Sequence, residues 1–187
     1  MRTHRLLVVH HSILQVLHEP GCPFCHILKE FQSDQLQNHA EDTFSHVCNF
    51  HVWGLAAVQD AHSAAKVFLK LIDQAPFSNE IGQCEICKRI AEEENLRIRE
   101  FVSCLQRFEV SHWLRTNAVL CIPHALKLRK KVPFILAPRI DTIIGNCRRQ
   151  LAQELVQLRD EPGPDHTGWG VVGRAAEFLV AQRGIRA

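Results

Sequence analysis

Four short stretches limit what this chain can fold into: GCPFC at 21–25, VCNFH at 47–51, CEIC at 84–87 and LCIPH at 120–124. They spell CxxC then CxxH, twice, in the same order. Two residues between donors let a tight turn wrap one ion, and thiolate-rich sets of four suit a tetrahedral centre. Cys22, Cys25, Cys48 and His51 make one expected Cys3His site; Cys84, Cys87, Cys121 and His124 make the other. The spacing leaves open a crossed arrangement, with the CxxC of one half meeting the CxxH of the other. Both motif types run into helical patterns. At a helix start, free N–H groups and the positive dipole end help to keep thiolates ionised.

Zinc, two ions per chain, is the expected metal. An iron–sulfur cluster is the rival, although the close grouping of three cysteines found in ferredoxins is absent. Covalent haem wants CxxCH, and Cys22, Cys25 and His26 match it literally. The second CxxC is followed by Lys88 instead. His26 therefore reads as a first-turn residue beside the metal site.

The location decides between metal and disulfide readings of the 8 cysteines. The apolar run Leu6–Val9 is too short for a secretory core, and no run of about 18 apolar residues exists. A cytoplasmic location is expected, where paired cysteines serve metal or redox chemistry. The charged residues nearly balance, at 22 basic against 20 acidic, so no field for nucleic acid follows.

The hydrophobic spacing is helical nearly throughout, and no segment sustains period-two alternation. The expected fold is an all-α bundle of two CxxC–helix–return–CxxH–helix halves, each stapled by a metal site, with a short hairpin at a knuckle as an option. An N-terminal helix occupies 1–20. The halves span 21–76 and 77–132. A helix follows in 133–159, then a linker and an amphipathic helix in 160–187. Within the first half, Ser33 and Asp34 suggest a cap that ends one short helix and starts another. Cys48 to Gln74 reads as one long helix, with Val52, Leu55, Val58, Ala65, Phe68, Leu69 and Ile72 on its apolar face. Glu92, Glu93, Glu94, Arg97, Arg99 and Glu100 read as the solvent face of a helix from Cys84 to Phe108.

Cys104 and Cys147 read as small buried hydrophobes. Trp53, Trp113 and Trp169 read as core packers. No GxSxG, P-loop or dinucleotide glycine motif is present. Four protein ligands at each site leave no open position for a reacting water. The sequence thus points away from an enzyme and toward a binding or adaptor module for a protein partner. A thiol-based redox or metal sensor and an iron–sulfur electron carrier are the alternatives.

The pieces GCPFC, VCNFH, CEIC and LCIPH resemble an uncharacterised group of bacterial proteins, domains of unknown function, with CPxC, a flanked CxxH, a second CxxC and LCxxH. The resemblance spans about residues 21–124 and implies a helical, metal-binding protein. It implies no activity.

Overall fold

The computed structural model describes residues 12–38, 46–73, 84–116, 118–160 and 170–181. They form helices α1 (Pro23–Asn38), α2 (Asn49–Val58), α3 (Ala61–Asp73), α4 (Glu85–Ser103), α5 (Phe108–Thr116), α6 (Ile122–Arg129), α7 (Ala137–Asp160) and α8 (Gly170–Val180). Two 3-10 turns, Gln15–His18 and Phe134–Leu136, complete the set. The chain is all-α, and among the described residues no strand forms, so no hairpin supports a knuckle. Most of the expected N-terminal helix, residues 74–83, most of the expected linker and Trp169 lie outside the described residues. No described helix is long and apolar enough to cross a membrane.

Helix α1 shows why local sequence dictates this order. Gly21 takes φ +103°, a backbone state that L side chains rarely adopt, and turns the chain into Cys22. Pro23 then opens the helix where its missing N–H has no partner to lose. Phe24, Ile27, Leu28 and Leu36 are buried along its length. The cap expected at Ser33 does not form; the Ser33 hydroxyl accepts from the Gln37 side chain at 3.2 Å, and the helix runs on. Sixteen residues carry the chain about 24 Å, against about 14 Å for the shorter helix expected.

The single helix expected from Cys48 to Gln74 is two. Asp60 breaks it: its Oδ1 accepts the backbone N–H groups of His62 (3.0 Å) and Ser63 (3.1 Å), and its Oδ2 accepts the Ser63 hydroxyl (2.7 Å). That is an N-cap, and it starts α3. The break splits the apolar stripe. Leu55 and Val67 are buried, while Trp53, at 71% exposure, and Leu69 and Ile72 face solvent. Trp53 is therefore not the core packer its type suggested; Trp113 is buried.

The chain divides into two compact units. The first is built on Leu28–Glu93, the second on His11–Ile27 with Glu94–Ala187. In the first unit, Leu36, Leu55, Val67, Ile86 and Ile90 form the core. The end of α1 is tied to its neighbours by Gln59, which donates to the Leu36 carbonyl at 2.6 Å, and by Arg89, which donates to Gln35 at 3.0 Å. In the second unit, Phe24 meets Phe101 edge-on at 5.6 Å and Phe101 meets Trp113 at 5.8 Å. Arg139 donates to the carbonyls of Leu114 (2.9 Å) and Arg115 (2.7 Å), a cationic stop for α5. Helices α6, α7 and α8 pack on one another.

Candidate metal centres

All four motifs sit where helices begin. Cys22 immediately precedes α1 and Cys25 lies in its first turn. Cys48 is the N-cap of α2, with His51 one turn on. Cys84 precedes α4, with Cys87 in its first turn, and Cys121 is the N-cap of α6, with His124 inside it. A backbone bond from Glu85 N–H to the His46 carbonyl, 3.1 Å, joins two of these knuckles within the first unit.

The grouping expected from the sequence is corrected here. Each half does not close its own site. Cys22 and Cys25 stand with Cys121 and His124, all buried, in the second unit; Cys48 and His51 stand with Cys84 and Cys87 in the first. Helix length supplies the reason. An unbroken α1 carries the chain about 24 Å from Cys22 before the segment that leads to Cys48. In the second unit the start of α1 packs on the end of α4, through Phe24 and Phe101, and so faces the chain that continues to Cys121. In the first unit the end of α1 packs on the start of α4, where Cys84 and Cys87 are.

Each group could hold one metal ion, since its four donor atoms all lie within 4.8 Å of one another. The individual distances test the fit. Thiolates about 2.3 Å and an imidazole about 2.1 Å from one tetrahedral centre lie about 3.8 Å apart (S to S) or about 3.6 Å apart (S to N). In the first unit, Cys48 Sγ is 3.7 Å from Cys87 Sγ, and His51 Nδ1 is 3.4, 3.5 and 3.4 Å from the sulfurs of Cys48, Cys84 and Cys87. In the second, Cys25 Sγ is 3.7 Å from Cys121 Sγ, and His124 Nδ1 is 3.6 and 3.4 Å from the sulfurs of Cys22 and Cys25. The Cys121–His124 separation, 3.0 Å, is the one short edge. None of these sulfurs is joined in a disulfide; all eight cysteines are free. Both histidines present Nδ1 to their group.

The donors crowd more charge than a buried site holds alone. Burial pushes the Cys22 thiol up, but hydrogen bonds from Cys121, Cys25 and His124 outweigh it and bring it well below the ordinary value. Hydrogen bonds to Cys121 and Cys22, with burial, drive Cys25 far up. Burial, then the Cys84 and Cys48 thiols, push Cys87 up to about 12. Burial would lower His124, yet Cys121, Cys22 and Glu94 carry it up to about 11. A divalent cation among the donors would relieve the mutual repulsion of these thiolates.

The charge of Glu94, on α4, suggests a solvent face. The residue is buried, 5% exposed. One carboxylate oxygen lies 3.3 Å from His124 Nε2, angled off a good hydrogen bond, and both oxygens accept from Lys127, at 2.8 and 2.7 Å. Burial raises its pKa, and His124 and Lys127 bring it below the ordinary value. A carboxylate behind the far nitrogen fixes which imidazole nitrogen turns inward and how basic it is. The signal was present: Ile86, Ile90, Glu94 and Ile98 recur every fourth residue, so Glu94 shares the buried stripe. Replacing Glu94 with Gln is expected to weaken metal binding in the second unit by about 10–100-fold. The site in the first unit keeps its affinity. A competition titration against a chelator resolves the two.

His26, the residue completing CxxCH, has its Nε2 at 2.6 Å from the Pro20 carbonyl. Its ring thus buttresses the turn at Gly21. No family model, curated protein or solved structure matches this chain.

Proposed function

We propose that the protein is a helical zinc-binding module with two structural sites, acting as a binding or adaptor unit for a protein partner. The observation that carries this is the pair of four-donor groups with edges of tetrahedral length. Four protein donors fill a tetrahedron, which suits an ion that holds the fold and not one that activates water. Donors so close together surround a single ion; a multi-atom cluster needs its cysteines spread around it, which speaks against the iron–sulfur reading. The adaptor role is supported by the apolar side chains of Trp53, Leu69 and Ile72, which α2 and α3 leave in solvent. Isolated large apolar residues are ordinary, but a tryptophan so exposed is the type enriched in protein interfaces.

Metal content and the visible spectrum of protein purified without oxygen test the reading. About two zinc per chain and no colour are expected. Iron with sulfide, or a haem band, would sink it.

A further inference from the structure

Beside the donor group of the second unit lies a cavity of about 330 Å³. It is lined by three of that group's cysteines, Cys22, Cys25 and Cys121, and also by Cys147 from α7. Arg174 and Phe178 of α8 form another part of the wall. Four cysteines therefore line one cavity, and one of them lies outside the donor group. Cys147 is only half-buried, which a space-filling residue would not need to be. Its thiol hydrogen-bonds with the backbone of Leu120, the neighbour of Cys121. The first unit has no counterpart: between residues 28 and 93 the only cysteines are Cys48, Cys84 and Cys87, all donors.

We propose that Cys147 is the resolving thiol for Cys22, so that hydrogen peroxide entering this cavity yields a Cys22–Cys147 disulfide and withdraws one donor from the second unit's group. Cys22 is the donor placed for this. It is the most exposed of that group's cysteines, at 7% against 3% for Cys25 and Cys121. It precedes α1, so it can swing toward α7 at the expense of one long capping bond, His26 N–H to the Cys22 carbonyl at 3.3 Å. The Cys22 sulfur attacks one peroxide oxygen, the O–O bond breaks, and hydroxide leaves. The Cys147 sulfur then attacks the sulfenic sulfur; the S–O bond breaks, and the hydroxyl departs as water with the Cys147 proton. Two sulfurs lose two electrons and one peroxide takes them up.

The proposal rests on the zinc reading, and one experiment separates the two. Full-length protein is assayed for metal, exposed to equimolar peroxide, followed with a zinc indicator, and digested for disulfide mapping by mass spectrometry. One of the two ions is expected to be released, together with a Cys22–Cys147 cross-link. Cys147→Ser and Cys147→Ala should keep both ions before oxidation, lose the cross-link and slow release by about tenfold or more. Cys104→Ser should behave as wild type. Unchanged release in both Cys147 variants, release of both ions together, or cross-links confined to Cys22, Cys25 and Cys121 would overturn the proposal. Absence of zinc before oxidation overturns the metal reading alone, because the cross-link is still read by mass.

Discussion

Stripping metal with a strong chelator under reducing conditions is expected to abolish most of the helical signal. Each unit has one donor group, and each group sits where two helix starts converge. Apparent binding free energies for structural zinc are about 10–16 kcal/mol, as large as the whole stability of a typical domain, about 5–15 kcal/mol. The first unit's core is small, with Leu69 and Ile72 left outside it. Circular dichroism at 222 nm with a thermal melt checks this. Loss of cooperative melting, restored by adding zinc, is the expected result. A melt unchanged by chelation would mean that hydrophobic packing alone holds the helices and that the donor groups are incidental.

Replacing Cys22 and Cys25 together by Ser is expected to lower the metal content from about two ions to about one and to unfold locally around α6. The motivation is the grouping of that pair with Cys121 and His124. Amide hydrogen exchange should quicken in Ile122–Arg129 and stay slow in Asn49–Val58. The reciprocal change, Cys84 and Cys87 to Ser, should loosen Asn49–Val58 and spare α6. Pairing within each half predicts the opposite assignment, so a loss of protection at α2 in the first variant would refute the crossed arrangement.

The all-α class and the eight donor residues were legible in the sequence, since periodicity and spacing are local signals. The grouping was not. It depends on how far α1 runs, and that turned on Ser33 and Asp34, residues that favour caps but also tolerate a helix interior when packing rewards it. Asp60 is the reverse case, a cap embedded in an apolar pattern that is continuous in sequence. Glu94 was misassigned because charge outweighed register: its neighbours Glu92 and Glu93 do not share its burial. Its partners, His124 and Lys127, lie 30 or more positions along the chain and leave no local trace.

The unbroken α1 has a further consequence for the chain as it is made. During synthesis, Cys22, Cys25, Cys48 and His51 emerge first, and they already constitute a full Cys3His set. At roughly 5–20 residues per second, Cys84 and Cys87 follow only seconds later. An ion arriving then would find a set of four other than those the fold brings together. The native partners are farther apart in sequence: Cys25 and Cys121 by 96 residues, Cys48 and Cys87 by 39. In sequence, the unbroken α1 separates the two early half-sets, and a chain interrupted at Ser33 is expected to close that early set more readily.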